Sequence, residues 1–284
     1  MRLSGGRVAA AYRDACLAEL QALKPGNVHV YAAGHDMTVA DFETSAEVSA
    51  AVVGQPGLSV GERIYEAVRQ TRAVTGCNTN LGILLLCAPL AQAALGARTG
   101  DLRQELRQVL DALDVADAEL TFRAIRLAQP GGLGTSPRHD VAAPATVTLR
   151  AAMAEARHRD RIADQYVTAF EDVFTFGLPR LRAGLARWVE ESWATTGAYM
   201  GFLARFPDSH IARKFGAMVA GDVRRTAAHL DQRLAACADP ATLSADLTAL
   251  DTKLKAAGLN PGTSADLTVA SLFALRLENA ASTD

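Results

Sequence analysis

Leu81-Gly82-Ile83-Leu84-Leu85-Leu86-Cys87-Ala88-Pro89-Leu90-Ala91-Gln92-Ala93-Ala94-Leu95 is apolar almost without interruption. A helix at a protein surface carries an apolar stripe and a polar face, whereas a helix apolar all round is buried on every side. The run falls short of the roughly 20 apolar residues that a membrane-spanning helix needs. Pro89 within it predicts a kink. The stretch therefore predicts a central helix with other helices wrapped around it.

The flanking sequence supplies those partners. Val8, Tyr12, Ala15, Cys16, Leu20 and Leu23 recur at three- and four-residue steps, and Lys24-Pro25-Gly26 ends that first helix. The same period runs through 41–53, 61–75, 101–113, 115–129, 145–156, 161–176, 179–206, 215–236, 240–257 and 264–278, with 207–214 read as a polar interruption. No segment alternates in the manner of a strand bounded by turn residues. The expectation is an all-α fold, a single globular domain over residues 1–284, with about ten helices around buried apolar ones.

Composition agrees. The chain has 56 alanines in 284 residues and only 6% aromatic residues, which favours helices over sheets. Hydrophobic residues at 49% and charged residues at 21% exclude a disordered chain. The formal net charge of -2 argues against a nucleic-acid partner. No apolar segment suits a signal peptide or a membrane partner. Cys16, Cys77, Cys87 and Cys237 form no CxxC pair, so neither a zinc site nor a disulfide framework is expected, and the reading is a cytoplasmic protein. Alanine-rich apolar helices suit a homodimer.

Polar clusters stand at the helix breaks. Lys24-Pro25-Gly26-Asn27-Val28-His29 and Gly34-His35-Asp36-Met37 lie early, and Gly76-Cys77-Asn78-Thr79-Asn80-Leu81-Gly82 leads into the apolar run. Asp208-Ser209-His210-Ile211-Ala212-Arg213-Lys214 and Asn260-Pro261-Gly262-Thr263-Ser264-Ala265-Asp266 lie late, and Gly134 to Asp140 is a weaker sixth. Thr79 or Asn80 serves as an ordinary helix cap on one reading; on the other, the free amides there seat a phosphate. Asp36 and Asp266 are carboxylates suited to a magnesium ion or to a general base. Lys24 and Lys214 are two of only four lysines, and both stand in polar breaks. Neither a Walker A loop nor a Gly-x-Gly-x-x-Gly turn occurs, so a nucleotide site must be of another kind.

Taken in order, these clusters resemble the motifs of the triphosphoribosyl-dephospho-CoA synthase family. Lys24 to His29 is similar to a Lys-Pro-Gly-Leu-Val-Asp segment, and Gly34 to Met37 to a shortened Gly-x-His-x-Asp-Met loop. Gly76 to Gly82 is similar to Gly-Val-Asn-Thr-His-Lys-Gly, Asp208 to Lys214 to Asp-Thr-Asn-Val-x-x-Arg/Lys, and Leu259 to Asp266 to the closing Asn-x-Ser-Pro-Gly-Gly-Ser-Ala-Asp type. Three places depart from the pattern: Asn80-Leu81 replaces His-Lys, His29 replaces Asp, and His210 replaces Asn.

The resemblance implies an all-helical enzyme that moves the triphosphoribosyl group of ATP to the ribose 2′-hydroxyl of 3′-dephospho-CoA or a related precursor, releasing adenine, with Mg2+ assisting. It implies catalytic roles for Asp36, Asp266 and His35. Lys24, Asn78, Thr79, Asn80, Arg213, Lys214 and Ser264 become phosphate and ribose contacts, and Asp36, Asp208 and Asp266 become metal ligands. The alternatives are another ribosyl or phosphoribosyl transfer in cofactor assembly, such as a pterin-type C1 carrier pathway, or a non-catalytic nucleotide-binding helical protein.

Overall fold

The central apolar run does form a helix. In the computed structural model, which describes residues 2–282, α4 (Leu81–Gly96) is buried along nearly its whole length. The helix continues through Pro89. Proline has no amide hydrogen, so the carbonyl four residues earlier loses its helical donor. That carbonyl belongs to Leu85, and the buried Tyr166 hydroxyl donates to it at 2.6 Å. Gln92 is the polar side chain of α4, and its Oε1 accepts from Nη2 of the fully buried Arg63 at 2.9 Å. Arg63 also donates to the carbonyls of Val52, Val53, Gln55 and Leu58. Burial still pulls its pKa down to about 10.

Around α4 stand α1 (Gly5–Gln21), α2 (Val39–Val53), α3 (Val60–Thr75), α5 (Leu102–Ala112), α6 (Val115–Ala128), α7 (Leu149–Ala156) and α8 (Arg161–Thr168). Then follow a π-turn (Val173–Gly177), α9 (Leu178–Arg187), α10 (Glu191–Arg205), α11 (Ser209–Phe215), α12 (Ala217–Ala236), a 3-10 turn (Pro240–Leu243), α13 (Ser244–Ala256) and α14 (Gly262–Ser282). Several helix starts are written locally. Thr38 with Asp41, Ser59 with Glu62, and Asp114 with Asp117 form reciprocal capping boxes. No strand occurs among the described residues, so the all-α expectation holds.

Helix α14 is the second buried axis, packed against α1, α4 and α10. One apolar core surrounds α4 and α14. A second gathers α12 and α13 against Tyr199, Met200 and Leu203 of α10. Ala198 and Phe202 on the same α10 face the first core, so this helix joins the two.

Among the described residues there are fourteen α-helices rather than about ten: 179–206 divides into α9 and α10, 207–214 holds α11, and 161–176 ends as α8 and a π-turn. Over 161–176, Ala169 and Phe170 adopt left-handed backbone with φ of 51° and 54°. Gln165 holds that step, donating to Asp172 Oδ2 at 2.7 Å and accepting from the Asp172 amide at 3.2 Å. Over 179–206 the chain turns at Trp188, which is extended and buried. Gly184 lets α9 and α10 meet there, since a β-carbon on it would stand 2.8 Å from Ala194 Cα. The segment 207–214, read as an interruption, is mostly helical. Asp208 caps α11, accepting from the amides of His210 and Ile211.

Candidate active site

The five clusters, far apart in sequence, meet around one cavity of about 1030 Å³. His35 and Asp36 enter it from the loop before α2, and Asn78 and Gly82 from the start of α4. His210, Arg213 and Lys214 come from α11, and Asp266 from the second turn of α14. The loop between α6 and α7, including Gly134 to Asp140, completes one wall.

Asp266 sits against the amino end of α4. A β-carbon on Gly82 would stand 2.0 Å from Asp266 Oδ2, so only glycine leaves room for the carboxylate. No donor among the described residues hydrogen-bonds this carboxylate. Burial raises its pKa well above the ordinary value, and the negative charges of Asp208, Glu19 and Asp160 add to this, while Arg213 opposes it. The positive end of the α4 dipole also opposes it. The place read from sequence as a phosphate seat is therefore held by the chain's own carboxylate. Mg2+ is commonly held by one or two carboxylates together with phosphate oxygens, and Asp266 is a carboxylate of that kind.

Asn78 Oδ1 accepts from the Leu81 amide at 3.2 Å, capping α4 and leaving the Asn78 amide donors for a ligand. His35 has left-handed backbone, with φ of 58°. Its Nε2 lies 2.8 Å from the Gly26 carbonyl, which only accepts, so Nε2 carries a hydrogen and donates there. Asp36, with φ of 60°, is exposed in the same wall.

His210 reaches the cavity because residue 262 is glycine; a β-carbon there would stand 2.4 Å from His210 Nδ1. Burial and the nearby charges of Arg213, Lys214 and His35 push its pKa down to about 3, so it is a neutral imidazole at physiological pH. Arg213 pairs with Asp160 at 3.5 Å and donates from Nε to the Gly131 carbonyl at 3.0 Å. Lys214 lies across Gly131, where a β-carbon would meet its Cε at 2.6 Å, and it pairs with no carboxylate among the described residues.

Several residues assigned from sequence serve elsewhere. Lys24 is fully buried, ion-paired with Glu19 and donating to Asn27 Oδ1 at 3.2 Å, and it does not reach the cavity. Its segment ties distant parts of the chain together: Asn27, which lines the cavity, donates to Asn260 Oδ1 at 2.8 Å, and Gly26 to Asp251 Oδ1 at 2.8 Å. Asp208, expected as a metal ligand, does not line the cavity. Both of its oxygens are consumed, Oδ1 by the amides of His210 and Ile211, and Oδ2 by the Ser264 amide and hydroxyl at 2.8 and 2.9 Å. Ser264 is locked by that same pair of bonds and is fully buried. Among the described residues, no group of three or more His, Cys, Asp or Glu side chains is placed to hold a metal.

Thr79 lines the cavity, but its hydroxyl pairs with Ser45 Oγ at 2.6 Å. Asn80 turns inward to Ser49 and Thr71 at 3.4 and 3.3 Å. Sequence reasoning passed over the turn Arg157-His158-Arg159-Asp160-Arg161, all of which lines the cavity. Three arginines in five residues at a helix break were the signal available.

A cavity at helix ends, lined by arginine, lysine and carboxylate side chains among apolar ones, suits an all-helical enzyme with an anionic organic substrate. Residues 6–284 match the model of the CitG family, ATP:dephospho-CoA triphosphoribosyl transferase, and the chain belongs to that family. It is an ATP-dependent triphosphoribosyl transferase, and the other readings of the sequence are not favoured. A protein of Archaeoglobus fulgidus, solved as a candidate triphosphoribosyl-dephospho-CoA synthase, shares the fold. It aligns with a TM-score of 0.66 and 23% identity, over 83% of this chain and 98% of that one. No curated protein matches the chain. No helix among the described residues is long and apolar enough to cross a membrane.

Proposed function

We propose that this cavity binds ATP by its triphosphate beside Asp266, Asp36, Arg213 and Lys214, and joins the ATP ribose to the 2′-hydroxyl of 3′-dephospho-CoA. The observation that carries the reading is the convergence of His35, Asp36, Asn78, Arg213, Lys214 and Asp266 on one cavity. In the reaction the bond from ribose C1′ to adenine N9 breaks and a bond from C1′ to the acceptor 2′-oxygen forms. The hydroxyl proton leaves, and adenine departs with a proton.

Each group has a task set by its surroundings. His35 takes the hydroxyl proton on Nδ1, since Nε2–H is committed to Gly26. Asn78 donates to ribose or phosphate oxygens. His210, neutral, hydrogen-bonds without adding charge. The carboxylates of Asp266 and Asp36 lie where positive charge develops on the sugar carbon, as in other substitutions at an anomeric centre. Mg2+ suits the same two carboxylates, and when bound it neutralises triphosphate charge that they would otherwise repel.

The reading treats residues 1–284 as one catalytic unit acting in the cytoplasm, where its substrates are made, with no nucleic-acid partner. It includes a homodimer, supported by the exposed apolar side chains of Tyr31, Val189 and Met218; light scattering on the purified protein tests this. The central test is incubation with ATP, Mg2+ and dephospho-CoA. Free adenine and an acceptor heavier by one triphosphoribosyl group are expected. An unchanged acceptor with no adenine would end the reading.

A further inference from the structure

The seat of His35 lies outside its own loop. Its Nε2 donates to the carbonyl of Gly26, nine residues earlier, at 2.8 Å. Gly26 belongs to a tight turn in which the Asn27 amide donates to the Lys24 carbonyl at 2.9 Å. Proline followed by a glycine of positive φ, here 85°, is the signature of a type II turn. Buried side chains from distant helices hold that turn. Tyr199 of α10 donates its hydroxyl to the Pro25 carbonyl at 2.7 Å, and Asp251 of α13 accepts the Gly26 amide on Oδ1 at 2.8 Å. The carbonyl and the amide of one peptide, the one joining Pro25 to Gly26, are thus both tied down.

The same carboxylate also reaches the loop that carries His35. Lys255, one turn after Asp251 on α13, donates to Asp251 Oδ2 at 3.0 Å and to the Ala32 carbonyl at 3.1 Å. Ala32 lies three residues before His35. The stem of Lys255 runs against Gly34, where a β-carbon would stand 3.1 Å from Lys255 Cε. His29 closes the cluster, its Nε2 3.4 Å from both Asp251 Oδ1 and Lys255 Nζ. His35 itself holds left-handed backbone, a conformation that a residue with a β-carbon keeps only where its surroundings enforce it. Neither Asp251 nor Lys255 lines the cavity.

We propose that Asp251 is a positioning residue for the transfer reaction. Through the Gly26 amide it fixes the turn that accepts the His35 hydrogen bond, and through Lys255 and Ala32 it fixes the loop from which His35 extends. A base must stand within hydrogen-bond reach of the proton it takes, so loosening either side costs rate while substrates still bind. This inference rests on the proposed function, in which His35 takes the hydroxyl proton.

The test is a kinetic cycle of adenine release with wild type, Asp251→Asn, Lys255→Met, His35→Gln and the doubles that join each of the first two to His35→Gln. Asp251→Asn keeps the shape of the side chain and sets an amide donor against the Lys255 ammonium. In Asp251→Asn and Lys255→Met, kcat is expected to fall about tenfold. KM for ATP and for dephospho-CoA should stay within about twofold of wild type. Each double should turn over at the rate of His35→Gln alone, since the carboxylate acts through that ring. Unchanged kcat in the single variants, KM rises as large as the kcat losses, or losses that multiply in the doubles overturn the proposal. Lys255→Met, on a part-exposed side chain, carries the cycle alone if Asp251→Asn does not fold.

Should wild type release no adenine, the proposed function fails, and NMR of the histidine rings still decides the positioning, with His35→Gln identifying the His35 Nε2–H signal. Slow solvent exchange of that signal in wild type and faster exchange in Lys255→Met support it. Equal exchange in the two proteins overturns it.

Discussion

The Asp266 carboxylate occupies the space that a side chain on Gly82 would fill, with Oδ2 2.0 Å from that position. One residue closes the chain's last motif and the other ends its third, so the two motifs are two halves of one device. Gly82→Ala pushes the carboxylate away from α4 while leaving a better helix former in a helix. Adenine release is expected to fall by about a hundredfold, the scale of losing one oriented catalytic group. Stability should hold within about 1 kcal/mol. Kinetics and urea unfolding on the same preparation check both.

Asp266→Asn tests the charge itself. Because burial raises the pKa of Asp266, its contribution to stability is fully present below the unfolded carboxylate value and is lost as pH rises through the raised value. The asparagine variant loses that dependence. Its unfolding midpoint at pH 8 should equal or exceed that of wild type, while its adenine release is nearly abolished.

His210 carries the opposite sign. Its folded pKa of about 3 lies below the ordinary histidine value, so its contribution is full above pH of about 6.5. The contribution is lost as pH falls toward the folded value. Between pH 7 and pH 4.5, wild type is expected to lose more stability than His210→Gln. Nitrogen shifts in an NMR titration should show the imidazole still neutral at pH 5.

Asp208→Ala should unfold the site rather than empty a metal position. It strands three amides and the Ser264 hydroxyl, all bonded to one buried carboxylate. A loss of about 3 kcal/mol is expected, as for removing one partner of a buried charged cluster. In whatever activity survives, the Mg2+ concentration for half-maximal rate should match wild type. A large rise in that concentration would restore Asp208 as a ligand.

Tyr166→Phe removes the hydroxyl that serves the Leu85 carbonyl and changes nothing in the cavity wall. A loss of about 1–3 kcal/mol follows from orphaning a buried acceptor. Unchanged KM values for both substrates should accompany it.

Much of the fold was readable in the chain because burial and helix period are local patterns. The run 81–95 showed its own all-round burial, and the capping boxes at Thr38, Ser59 and Asp114 marked where helices begin. The breaks at 169–170 and 188 carried no proline or glycine. They are held by contacts such as Gln165 to Asp172 and α9 to α10, which no local pattern records.

For the site, residue type and position at helix ends were enough to find the six clusters and the all-helical class. They were not enough to separate Asp266 from Asp208, or Lys214 from Lys24. Each pair is chemically identical in the chain; what differs is whether the charged atoms meet a protein partner or an open cavity. Asp208 and Lys24 spend their charge on buried neighbours brought in by folding, while Asp266 and Lys214 line the open cavity. Hydrogen-bond satisfaction depends on which distant groups arrive within about 3 Å, and only the packed helices decide that.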